Sequence, residues 1–140
     1  MISKINYKNI ILFILIAILG LAAIAIPPLL LPVEHYESPL FPIIRTGIEN
    51  FSFYSMALLI ICGMIAGMLS PPHKFLWSFA SVSLFPVISI AEMIVDPSSH
   101  KLWPIEFTLT YGFFFFITLL GALIGKFIRE MVDWAVGRNK

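Results

Sequence analysis

Apolar residues run along this chain in four long blocks, approximately Ile10 to Val33, Phe51 to Ser70, Phe75 to Val95 and Phe107 to Ile128. Short stretches rich in charge, proline and histidine separate them. Each block reaches the roughly 20 residues a helix needs to cross a hydrocarbon core of about 30 Å. The pattern predicts an all-α membrane protein, one domain over residues 1–140 with four transmembrane helices. Lys4, Lys8 and the Ala23-Ile24-Ala25 triplet give the first block some look of a signal peptide. Its apolar run continues through Pro27 and Pro28 to Leu31, so all four spans are expected to be retained.

Basic residues in the connections set the expected orientation. Lys4, Lys8, Lys74, Lys126, Arg129, Arg138 and Lys140 fall at the termini or in the middle turn. The other two connections hold Arg45 and Lys101 against Glu34, Glu37, Glu49, Asp96 and Glu106. Both termini are therefore expected in the cytoplasm of a cell whose inner membrane the chain spans. Trp103 and Phe41 would then sit in an outer aromatic belt, and Trp77 and Trp134 in an inner one. The tail from Lys126 to Lys140 has helical periodicity and should prolong the last helix or lie along the membrane surface.

Composition narrows the function. Of the 140 residues 59% are hydrophobic and only 12% charged, against about 25% charged in soluble proteins. The net charge of +1 gives no field to attract nucleic acid. The partners to expect are the lipid bilayer and a membrane protein or a second copy. The single cysteine, Cys62, lies in an apolar run and reads as a packing residue.

A shift of 58 positions lays Pro28 on Pro86, Glu34 on Glu92, Pro39 on Pro97, Gly63 on Gly121 and Gly67 on Gly125. With a short insertion, Leu40-Phe41-Pro42-Ile43 meets Leu102-Trp103-Pro104-Ile105. These matches predict a tandem duplication of a two-helix hairpin, with repeats at about 10–70 and 71–128 related by a pseudo-twofold along the membrane normal. Gly63/Gly67 and Gly121/Gly125 form a GxxxG motif in each copy, a spacing that lets two helix backbones approach closely. Pro28 and Pro86 each remove a backbone donor and predict kinks in the first and third spans.

Ser78, Ser81, Phe85, Ser89 and Glu92 recur at three- or four-residue spacing and mark a helix face that should turn toward protein. The matching residues of the first span are Gly20, Ala23, Pro27, Leu31 and Glu34. If Glu34 and Glu92 converge, the pair could share a proton or bind a cation. The other reading leaves each at the water interface. Asp96-Pro97 is a helix-start signal and predicts a short helix over 97–101, which places His100 one turn from Asp96. Glu34, His35, Glu37, Glu92, Asp96, His100 and Glu106 together supply ligand types for an outer-face metal or solute site, without an HExxH or CxxC spacing. The chain carries no nucleophile elbow and no phosphate-binding loop.

The string from Asp96 to Glu106, DPSSHKLWPIE, resembles the D-P-x-S-H-x-L-W-P-x-E loop of uncharacterised small bacterial integral membrane proteins. That resemblance implies a bacterial membrane setting and no activity. The expected function is an accessory or structural membrane subunit. The alternative is a small-solute or cation binding or transport protein, or a metal-dependent membrane enzyme, using the outer acidic and histidine cluster.

Overall fold

The computed structural model of the chain describes residues 7–69, 74–97 and 103–137. These form helices α1 (Tyr7–Leu30), α2 (Pro42–Glu49), α3 (Phe53–Leu69), α4 (Lys74–Val82), α5 (Leu84–Val95) and α6 (Trp103–Ala135), with no strand among the described residues. Three helical stretches are long and apolar enough to cross a membrane: α1, the α4–α5 pair over Phe75–Val95, and α6. Helix α3 has 17 residues and reaches a fourth span only together with α2, from which it is bent by 103°. Helix α6 runs unbroken for 33 residues, so the charged tail prolongs the last span.

Helices α3 and α6 form the most extensive pairing in the bundle. A Cβ added to Gly63 would overlap the Thr118 carbonyl, and one at Gly67 the Ala122 carbonyl. From the other side, a Cβ at Gly121 would meet the Ile60 carbonyl and one at Gly125 the Met64 carbonyl. Bare backbone at these four positions allows a contact that lipid does not replace, because van der Waals packing rather than water exclusion drives helix association in a membrane. One turn beyond Gly125 the seam is tied by Arg129, whose Nη1 donates to the Met68 carbonyl at 2.7 Å and the Leu69 carbonyl at 3.2 Å. A cation there also suits the negative end of the α3 dipole.

Two prolines that the sequence makes look alike have different consequences. In α1 the helix runs through buried Pro27 and Pro28 and stops at Leu30, with Leu31 N–H donating to the Pro27 carbonyl at 3.0 Å. In the third span the helix breaks at Ser83, three residues ahead of Pro86. That break places Pro86 in the first turn of α5, where a missing N–H leaves no intrahelical bond unmade. Ser83 caps the break by donating its N–H at 3.2 Å and its hydroxyl at 2.8 Å to the Ala80 carbonyl. The expected kink takes the form of a one-residue break within the stretch Phe75–Val95, and α5 packs only sparsely on α1, α4 and α6.

The stretch between Val33 and Phe51, expected as a plain outer connection, contains α2. Pro42 stands in its first turn, a position where fixed φ and a missing donor cost nothing. One face buries Ile44, Thr46 and Gly47, while Arg45 and Glu49 pair at 2.5 Å on the other. Gly47 lies against the Ile24 carbonyl of α1, where a Cβ would overlap it. Thr46 and Asn50 then fasten the preceding segment: Tyr36 N–H donates to Thr46 Oγ1 at 2.9 Å, and Asn50 Nδ2 to the Glu34 carbonyl at 2.9 Å. Thr46→Val is expected to lower stability by about 1 kcal/mol through the lost acceptor. Thermal unfolding in mild detergent measures it, and Thr46→Ser should leave the midpoint unchanged.

The core divides into two clusters. Near α2, Phe85, Tyr111 and Phe114 meet with ring centroids 5.6–6.4 Å apart, alongside Ile24, Ile44 and Leu59. Toward the opposite end, Ile16, Cys62, Ala66, Trp77 and Ala80 pack together. Trp77 therefore departs from the aromatic-belt expectation. It is 1% exposed, because Ala66 and Ala80 leave room for an indole between the helices. Trp134 is 78% exposed at the end of α6.

Candidate functional site

The chemistry-bearing side chains are arranged around the α2 end of the bundle. The stripe Ser78, Ser81, Phe85 and Glu92 faces inward, and Glu92 is only 4% exposed. Burying a carboxylate costs several kcal/mol unless its oxygens are hydrogen-bonded. Here Ser38, in the segment after α1, donates its hydroxyl to Glu92 Oε1. Ser38 Oγ in turn accepts the Phe41 N–H at 3.2 Å, which fixes the hydroxyl where it can serve Glu92. One turn earlier on α5, the Ser89 hydroxyl pairs with the Tyr111 hydroxyl of α6. Both polar ties hold the otherwise sparsely packed α5 to the rest of the molecule.

Between these ties lies a narrow cleft. Glu92, Ser89 and Met93 of α5 form one wall, Arg45 and Ile48 of α2 a second, and Phe107 and Tyr111 of α6 the third. Its interior is about 20 Å³, room for one water-sized group. Arg45 is held at this wall by its ion pair with Glu49. A buried carboxylate and a guanidinium therefore line the same small space. Glu92 also lies inside the apolar stretch Phe75–Val95, three residues from its end.

The other described members of the expected cluster lie outside this cleft. Glu34 is exposed, with its carbonyl engaged by Asn50, and it does not line the cleft of Glu92. The two glutamates paired by the 58-position shift thus stand in different settings: Glu92 is buried on a serine and Glu34 is exposed. His35, Glu37 and Asp96 line a separate, wide basin of about 780 Å³ beside Ser38 and Pro39. Asp96 follows α5 as its C-cap, its N–H donating to the Glu92 carbonyl at 2.8 Å. Of the short helix expected over 97–101, residues 98–101, His100 among them, lie outside the described residues, and Glu106 falls in the first turn of α6. Among the described residues no three of His, Cys, Asp and Glu gather as metal ligands.

No protein-family model, no curated protein and no solved structure matches this chain. Its function has to be argued from its own residues.

Sequence reasoning overlooked Ser38, Arg45 and Tyr111. Ser38 is one hydroxyl in a proline-rich connection, and nothing local says that its partner lies 54 positions away. Tyr111 is hidden in an aromatic run where every neighbour is a packing residue. Arg45 did carry a signal: it stands four residues before Glu49, just after the helix-starting Pro42, and that i,i+4 pair marks a short helix.

Proposed function

We propose that this chain is a duplicated two-helix hairpin forming a four-span unit in a bacterial inner membrane, with both termini cytoplasmic, and that it serves there as an accessory or structural subunit. The duplication is supported by the register of the α3–α6 seam. Gly63 meets Thr118 while Gly121 meets Ile60, and Gly67 meets Ala122 while Gly125 meets Met64. Shifting either contact of a pair by 58 positions along each helix yields the other, the reciprocity a twofold requires. The same relation rationalises the unequal glutamates. Glu92 accepts from Ser38, whose counterpart in the other copy is Asp96. An ionised aspartate is an acceptor and not a donor, so that copy lacks the serine hydroxyl that serves Glu92.

The observation that carries the structural-subunit reading is how the interior polar groups are used. Ser81 and Ser83 bond carbonyls of α4, Thr118 bonds Phe114 and Phe115 carbonyls at 3.1 and 3.0 Å, and Thr46 and Ser38 clamp the segment before α2. Such groups hold backbone in place. The test is affinity purification of the full chain in mild detergent together with deletion of its gene. The expected result is a stoichiometric membrane-protein partner whose assembly falls in the deletion strain; a chain that purifies alone and whose loss alters no complex would refute the reading.

Orientation is testable separately in a Cys62→Ala background. His35→Cys should react with an impermeant maleimide on intact cells, and Trp134→Cys only after the inner membrane is opened. The reverse order would overturn the cytoplasmic termini. A second reading, that the outer face binds a small cationic or polar group, is favoured by one specific feature: the buried Glu92 carboxylate in a cleft shared with Arg45.

A further inference from the structure

We infer that a wedge between α1 and α3 holds one acyl chain of a bilayer lipid as a resident part of the fold. The inference rests on the membrane placement proposed above and adds an occupant to it. Helix α1 is drawn onto its other neighbours by bare backbone: a Cβ at Gly20 would overlap the Ser81 carbonyl of α4, and Gly47 of α2 lies against the Ile24 carbonyl. Against α3 it closes at Cys62, whose thiol donates to the Ile16 carbonyl at 3.8 Å. From that contact toward the α2 end the two helices leave a gap. It begins as a slot of about 120 Å³ among Leu19, Ala22, Ile61 and Ile65. It widens to about 430 Å³ between Ile26, Pro27 and Leu30 of α1 and Tyr54, Ala57 and Leu58 of α3. Ile26 and Leu58 line both parts, so the wedge is continuous.

Size decides the occupant. From Tyr54 to Ile65 the α3 wall runs about 16 Å at 1.5 Å per residue, which matches one leaflet of a hydrocarbon core about 30 Å thick. A helix from a second copy or a partner is about 10 Å across and would need more than about 1,000 Å³ over that length. It could rest on the rim but would leave the wedge unfilled. A single extended hydrocarbon chain is the bilayer component with the required width and length. No charged residue lines either part, so nothing inside selects a headgroup. Tyr54 stands exposed at the wide end, where its ring can lie along a chain while its hydroxyl reaches polar groups. Lipid tails are as apolar as leucine, so moving a chain into the wedge gains nothing from water exclusion. The gain is contact: an unfilled gap forfeits dispersion along both walls, and a chain restores it. Ala22 and Ala57 set the width, because a larger side chain at either position would occupy the space itself.

The experiment places the full chain in vesicles of phosphatidylethanolamine and phosphatidylglycerol, doped with a phosphatidylglycerol that carries a diazirine midway along one acyl chain. Photo-adducts are mapped by mass spectrometry, and lipid retained through detergent washing is read by native mass spectrometry. Adducts are expected to concentrate on residues 19–31 and 54–65, above those on the similarly exposed α6 face of Leu109, Phe113 and Phe116, and one lipid should stay with each chain. Ala57→Phe should remove both the retained lipid and the concentration of adducts. Leu120→Phe, on an exposed face outside the wedge, should change neither. Adducts spread evenly over all exposed apolar faces of the unmodified chain overturn the inference, and that comparison requires no variant to fold. In a Cys62→Ala background, a disulfide between copies through Leu30→Cys, with no adducts in the wedge, would assign the space to a second copy and overturn the lipid. Failure of the membrane placement has a separate signature, no adducts on any helix.

Discussion

Gly67→Ala and Gly125→Ala are each expected to destabilise the bundle by about 1–3 kcal/mol, although alanine is the better helix former. The new methyl at Gly67 would overlap the Ala122 carbonyl and that at Gly125 the Met64 carbonyl, both backbone groups that cannot rotate away. The helices must separate, and every contact along the seam loosens with them. Leucine at either position should exceed the upper end of that range. The double alanine variant should cost less than the sum, because one separation accommodates both methyls and neighbouring sites on a shared interface are not additive. Gly112 is the control: it lies on the same helix with nothing within 4 Å, so Gly112→Ala should be neutral or stabilising by up to about 1 kcal/mol. Thermal or denaturant unfolding of purified protein measures all four. Equal midpoints for the Gly67 and Gly112 alanine variants would mean that α3 and α6 do not meet through these glycines.

The all-helical architecture was legible in the sequence because it depends on local quantities, long apolar blocks, three of which form helices long and apolar enough to cross a membrane. The break of the third span was half legible. Pro86 announces that regular bonding must fail near Val82, but whether the chain bends or stops depends on the hydroxyls of Ser81 and Ser83 and on what α5 packs against. Helix α2 escaped notice because eight residues containing Arg45, Thr46, Gly47 and Glu49 fall far below a span and register as a polar connection. Trp77 was misplaced for a related reason. Its distance from the end of a span suggests a belt, yet the small residues that admit it, Ala66 in particular, come from a different helix. The acids and His35 group as one outer site in the sequence because they fall in connections expected on one side, and His35, Glu37 and Asp96 do line one basin. Whether a carboxylate is buried is decided by long-range partners, and Glu92 has its serine while Glu34 does not.

Removing the Ser38 hydroxyl tests what Glu92 is for. Ser38→Ala should cost about 1–3 kcal/mol, since a buried carboxylate loses a donor that water cannot readily replace. The loss should also expose the segment between α1 and α2, where Ser38 Oγ accepts the Phe41 N–H. Faster amide exchange over residues 32–41 reads that effect. Glu92→Leu acts in the opposite sense: replacing a buried charge by an apolar group of similar volume is often neutral or stabilising. In the Glu92→Leu background the serine substitution should then cost less, with a coupling of about 1 kcal/mol or more in the double-mutant cycle. Additive single effects would show that the bond between Ser38 and Glu92 contributes nothing to the fold. If leucine at position 92 leaves stability intact while Ser38→Ala does not, the carboxylate is dispensable to the bundle. An ionisable group near the end of an apolar span that stability does not require is then held in place for what it binds.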